Sequence, residues 1–126
     1  MIRCFGNVRG NLFEKEYRER SIEARAEFRS TLNGLRDQPT IVGWCRPRGF
    51  DRLSGQYRAL GKLRFKVRNV QHRPLGFFGP DQKTFTLLAW ATERDGKFDP
   101  PNIRDTALRR MNMVLKDTRR AHAFDF

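Results

Sequence analysis

The sequence predicts an α/β domain of the α+β kind. An N-terminal helical segment packs on a small, twisted, mostly antiparallel sheet, and a helix closes the chain. Three patterns carry this reading. Phe13, Tyr17, Ala24, Phe28 and Leu35 fall in one narrow stripe at helical spacing, with Leu32 on its edge. Leu63, Phe65 and Val67 alternate strictly with Arg64, Lys66 and Arg68, which is the period of a strand with one apolar and one cationic face. Ala107, Leu108, Met111, Val114 and Leu115 return to the helical period. With 126 residues, 38% hydrophobic and 12% aromatic, residues 1–126 are expected to form one domain with a modest core.

In chain order, residues 1–5 predict a short first strand and residues 6–10 a turn. Asn11 followed by Glu14 reads as a capping box, so a helix should begin near Leu12. Glu14–Arg18 and Glu16–Arg20 support it at i,i+4 spacing; Asn33-Gly34 ends or kinks it, and Pro39 stops it. Residues 40–60 read as a connector in which Trp44, Phe50 and Leu53 anchor a loop and Tyr57 is ambiguous. Residues 61–68 are the basic strand, and residues 72–80 its hairpin partner, made an edge or irregular by Pro74. Residues 84–92 are apolar on both faces in their second half, as a central strand is, and residues 93–96 close it. Asn102 caps the last helix, with Asp105 in its first turn and Arg104, Arg109, Arg110, Lys116 and Arg120 outward. The tail ends in Phe124 and Phe126, which pack back or meet another chain.

Charge narrows the function. The net charge is +12, and residues 41–80 hold nine basic residues against Asp51 alone. Like charges on one strand face repel, so the arrangement becomes favourable when a polyanion lies across it. Cys4 and Cys45 match no metal spacing, the start has no apolar leader, and no stretch is long enough for a bilayer. The expectation is a cytoplasmic protein with reduced thiols that uses no metal and no cofactor. Phosphate loops and nucleophile elbows are absent. Arg and Lys on strands can both bind phosphate and stabilise a pentacovalent phosphorane. With Asn69-Val70 at the centre of the hairpin turn, Lys66 stands opposite Arg73, and Arg64 and Arg68 share its face. A one-residue change in the loop would turn Arg73 to the other side.

These residues resemble the RelE/ParE superfamily of toxins, in particular the phage-derived, HigB-like branch. The resemblance rests on Leu-Arg-Phe-Lys-Val at 63–67, His72-Arg73, the apolar strand ending in Thr92-Glu93-Arg94, and Ala107-Leu108 in the following helix. It spans about residues 12–118 and is most specific over 60–94. It implies ribosome-dependent, metal-free cleavage of messenger RNA, in which the ribose 2′-OH attacks its own 3′-phosphate. It places basic active-site residues on Arg64, Lys66, Arg73 and Arg94. Lys66 is then the base or the transition-state contact, Arg73 and Arg94 stabilise the phosphorane, and Arg64 and Arg68 hold the RNA backbone, while Arg46 and Arg48, from their charge near the strand, are expected to bind RNA beside it. His72 is either the acid or a turn residue. RelE carries a tyrosine after the last arginine; here Phe98 stands in that stretch and can stack but supplies no hydroxyl.

The implied partners are mRNA, the ribosome and a small helix-turn-helix antitoxin. Two other classes compete with this mRNA interferase. One is a phage-derived, non-catalytic nucleic-acid- or ribosome-binding protein that inhibits translation. The other is a ParE-like toxin directed at gyrase.

Overall fold

A computed structural model describes residues 2–7, 11–36 and 49–124. Pro39, Trp44, Cys45, Arg46, Arg48 and Phe126, on which several expectations fall, lie outside the described residues. The rest is α+β: three helices and an eight-stranded, mostly antiparallel sheet. In chain order the elements are β1 (Ile2–Phe5), α1 (Leu12–Arg18), α2 (Ile22–Arg36), β2 (Phe50–Arg52), β3 (Gly61–Leu63) and β4 (Phe65–Val67). They continue with β5 (Val70–Phe78), β6 (Phe85–Arg94), β7 (Lys97–Asp99), α3 (Ile103–Lys116) and β8 (Ala121–Ala123). The sheet order is β2-β3-β5-β6-β1-β8, with β4 also on β5 and β7 also on β6. Only β1 and β6 run parallel among the described strands.

The expected N-terminal helix is two helices. The chain turns after Arg18, and the Ser21 hydroxyl accepts from Ala24 N at 3.1 Å to start α2. Asn11 does not form the capping box: its amide donates to Glu14 Oε2 at 3.2 Å, and its oxygen accepts from Cys4 Sγ at 3.0 Å. Asn33 and Gly34 lie within α2, which runs on to Arg36.

The apolar stripe of these two helices covers one face of the sheet. Phe13, Tyr17, Phe28, Leu32 and Leu35 pack there with Leu63, Phe65, Phe85, Leu87, Trp90 and Phe124. On the opposite face α3 lays Ile103, Ala107, Met111 and Val114 against Leu75, Phe77, Leu88, Ala89 and Ala91. Leu88 and Ala89 share a face because β6 carries an extra residue: Leu75 pairs Ala89, while Gly76 pairs Leu87. The bulge lets β6 present Leu87 and Trp90 to one layer and Ala89 and Ala91 to the other, so it is the buried central strand expected.

Two expectations for α3 are corrected. Leu115 is 54% exposed, because the buried stripe runs through Ala107, Met111 and Val114 instead. Arg110 is half-buried: its Nη1 donates to Leu88 O at 2.7 Å and meets Glu16 Oε1 at 3.2 Å. Glu16 also accepts from the backbone N–H of Trp90, and burial pushes its carboxyl above the usual range. These two side chains, from helices on opposite faces, satisfy the edge of β6 between its β1 and β7 pairings.

Candidate nucleic-acid interface

The basic strand is divided. Lys62 on β3 pairs Leu75, and Lys66 on β4 pairs Gln71, but Arg64 leaves the ladder. Pro74 on β5 is the physical reason, since it has no N–H to offer Leu63. The Arg64 N–H points away from β5, to Gly49 O at 2.9 Å, and carries the pairing of β2 with β3 one residue further. Pro74 thus makes the ladder irregular on this side while β5 keeps neighbours on both sides.

The hairpin register differs from expectation by two residues. The turn is Arg68-Asn69, with φ of 49° and 67°, and Val67 pairs Val70. Two positive φ values make this a type I′ turn, whose twist suits a two-residue hairpin. Lys66 therefore stands opposite Gln71, and Arg73 is its diagonal neighbour. Because the shift is even, the face is preserved. Arg64, Lys66, Gln71 and Arg73 line one open depression beside Phe65.

Within it the cations differ. Lys66 is exposed and has no ion-pair partner among the described residues. Arg64 Nε lies 2.9 Å from Asp51 Oδ2, both carrying substantial exposure. Arg73 is only 9% exposed. Its Nε donates to Glu93 Oε1 at 3.1 Å, its Nη1 to His72 O at 2.9 Å and its Nη2 to Gln71 Oε1 at 3.4 Å. Glu93 is gripped from its other side by Lys62, whose Nζ lies 3.7 Å from Oε2.

The family resemblance ran the strand to Thr92-Glu93-Arg94, whereas the residue pattern alone put Glu93 in a closing turn. It is instead a strand residue opposite Gln71, and β6 continues through Arg94 into a hairpin with β7 across Asp95-Gly96. A buried arginine demands an acidic partner, which is the signal that could have pointed to it.

Three expected site residues stand elsewhere. Arg68 reaches the helical layer, with Nη2 2.8 Å from Glu23 Oε1 on α2. Arg94 is exposed one position past Glu93, so strand alternation turns it to the opposite face. His72 is neither a turn residue nor on the cationic face. It is buried among the aromatic side chains beneath α2, stacked on Phe65 at 5.2 Å, and its Nδ1 accepts from Trp90 Nε1 at 3.0 Å. Burial, then the charges of Arg20 and Arg73, hold its imidazole below the usual value.

Phe98 is on the cationic side, opposite Glu93, but both cations near it already use the ring. Lys62 Nζ is 5.5 Å and the Arg104 guanidinium 5.3 Å from its centroid. Arg104 also lies 4.8 Å over Tyr57, whose hydroxyl donates to Asp105 at 2.5 Å. Cys4 is buried, and desolvation pushes its thiol up to about 12. Among the described residues no three His, Cys, Asp or Glu side chains gather as metal ligands would. No helix among them is long and apolar enough to cross a membrane.

No protein-family model, curated protein or solved structure matches this chain.

Proposed function

We propose that the chain is the toxin of a type II toxin–antitoxin pair, a ribosome-dependent endoribonuclease of the cytoplasm that cleaves mRNA without a metal. The observation that supports the reading is the depression in which Arg64 and Lys66 stand beside an Arg73 held on all three nitrogens. A phosphodiester there meets three cations from two adjacent strands. The ribose 2′-hydroxyl gives its proton to solvent water as its oxygen bonds to phosphorus, the bond to the 5′-oxygen breaks, and that oxygen takes up a proton, leaving a 2′,3′-cyclic phosphate and a 5′-hydroxyl. Lys66 is the contact to the reacting phosphate, and its ammonium gives the leaving oxygen its proton. Arg73 stabilises the phosphorane charge, and Arg64 holds the flanking backbone.

A second reading is favoured by His72, which is buried on the other face and offers no acid to the depression. On that reading the same cations bind RNA or the ribosome without cutting. Expressing the chain in a bacterium and mapping RNA 5′ ends separates the two. Codon-phased cuts that vanish in Lys66→Ala and Arg73→Ala support the enzyme. Growth arrest with intact RNA rejects it and leaves the binding protein or a gyrase-directed toxin.

A further inference from the structure

A guanidinium carries five N–H donors, and the three bonds of Arg73 leave one on each Nη atom. These two are the donors it can offer where it lines the depression. Their direction is set by Glu93, which accepts from Nε and is itself fixed by Lys62. The side chains of Arg73, Glu93 and Lys62 are 11%, 15% and 18% exposed, so solvent screens this triad far less than the outer pair of Arg64 and Asp51. The carboxylate has a second effect. It accepts from the same guanidinium whose Nη groups a phosphate would use, and its charge opposes the binding of any phosphate there, so what it contributes to the reaction comes from aiming those donors.

Resting on the RNA-cleavage reading above, we infer that Glu93 is a positioning residue. It aims the two remaining Nη–H groups of Arg73 at the phosphorane and keeps Arg73 and Lys62 from binding the backbone unproductively. Its removal should therefore separate binding from turnover: ground-state affinity rises while the reaction at saturation slows. A carboxylate that merely tied β5 to β6 would change stability, and binding and turnover would fall together.

The test compares wild type with Glu93→Ala and Glu93→Gln in three measurements. These are anisotropy of a fluorescein-labelled single-stranded RNA, single-turnover cleavage of mRNA on programmed ribosomes, and thermal melting. The alanine variant should bind RNA about fivefold tighter at low salt, from the loss of one nearby like charge. It should cleave about tenfold more slowly at saturation. The glutamine variant, whose amide oxygen still accepts from Nε, should regain most of the cleavage while keeping the tighter binding. Unchanged cleavage in the alanine variant, or parallel loss of binding and turnover without recovery by glutamine, overturns the inference. If wild type and Glu93→Ala cut alike while Lys66→Ala does not cut, the inference alone fails. If wild type binds without cutting, the enzymatic reading fails and unchanged affinity in both Glu93 variants overturns the inference as well.

Discussion

Trp90 Nε1 donates to His72 Nδ1 across 3.0 Å, and this bond fixes what the histidine can do. Because Nδ1 is the acceptor, the proton of the neutral ring sits on Nε2. Protonation would set a second N–H against the indole donor. The buried ring also stacks on Phe65, and Arg20 and Arg73 oppose its positive charge.

Acid should therefore weaken the fold through His72. Its folded value lies below the ordinary 6.5, so between the two values the unfolded chain binds the proton and the folded chain does not. Stability is complete above about 6.5 and declines as pH falls toward the folded value. Melting temperatures measured from about pH 7.5 to about pH 5 should drop more steeply for wild type than for His72→Gln, which keeps an acceptor but cannot titrate. Parallel curves would rule this out. RNA binding by the glutamine variant should match wild type once both are folded.

Lys66 and Arg94 should separate cleanly. Lys66→Ala should weaken RNA binding and lower the slope of log affinity against log salt by about one unit, as loss of one phosphate contact does. Arg94→Ala should leave the slope unchanged, because its strand position faces away from Lys66 and Arg73. Both substitutions lie on exposed positions and should alter unfolding free energy by no more than about 0.5 kcal/mol. Salt-titrated anisotropy and urea unfolding supply the two readouts. A slope lost with Arg94 instead would mean that RNA crosses the other face.

Gly76 should tolerate no side chain. A Cβ there would stand 2.5 Å from Thr86 O and 2.6 Å from the Phe85 ring, where β5 passes the bulge of β6. Backbone cannot yield as a flexible side-chain tip can. Gly76→Ala should destabilise the domain by about 1–3 kcal/mol in urea unfolding. Gly34→Ala on α2, where nothing lies within 4 Å, is the control and should stabilise by up to about 1 kcal/mol.

The layers and the cationic face were legible because both rest on local periodicity. Leu63, Phe65 and Val67 could alternate only one way, and the stripe from Phe13 to Leu35 survived the break at Arg20 because both halves cover the same sheet face. Register was not legible. It depends on Arg68 adopting a positive φ, and arginine carries no sign of that, whereas Asn69 does. The partnership of Arg73 with Glu93 was hidden for another reason. It joins residues 20 apart, through a strand whose far end read as a turn. His72 was misplaced by chemistry: its polarity suggested the surface, while its strand position set it opposite Phe65 in the core.

The hairpin turn offers the last prediction, which also tests whether Arg68 belongs to the interface. An arginine at φ 49° holds a left-handed backbone that disfavours a Cβ, by about 1 kcal/mol. Its ion pair with Glu23 links side chains 80% and 49% exposed, and such a pair contributes about 0–1 kcal/mol. Replacing Arg68-Asn69 by Asn-Gly installs the residues that a type I′ turn favours. The gain in backbone should outweigh the lost pair, so Arg68→Asn/Asn69→Gly should match or exceed wild-type stability, by up to about 1 kcal/mol in urea. Since Arg68 reaches toward α2 and not the depression, the salt slope for RNA should stay where it was. A slope reduced by about one unit would restore Arg68 to the RNA-binding face, and a large loss of stability would show that the Glu23 pair anchors the hairpin to the helical layer.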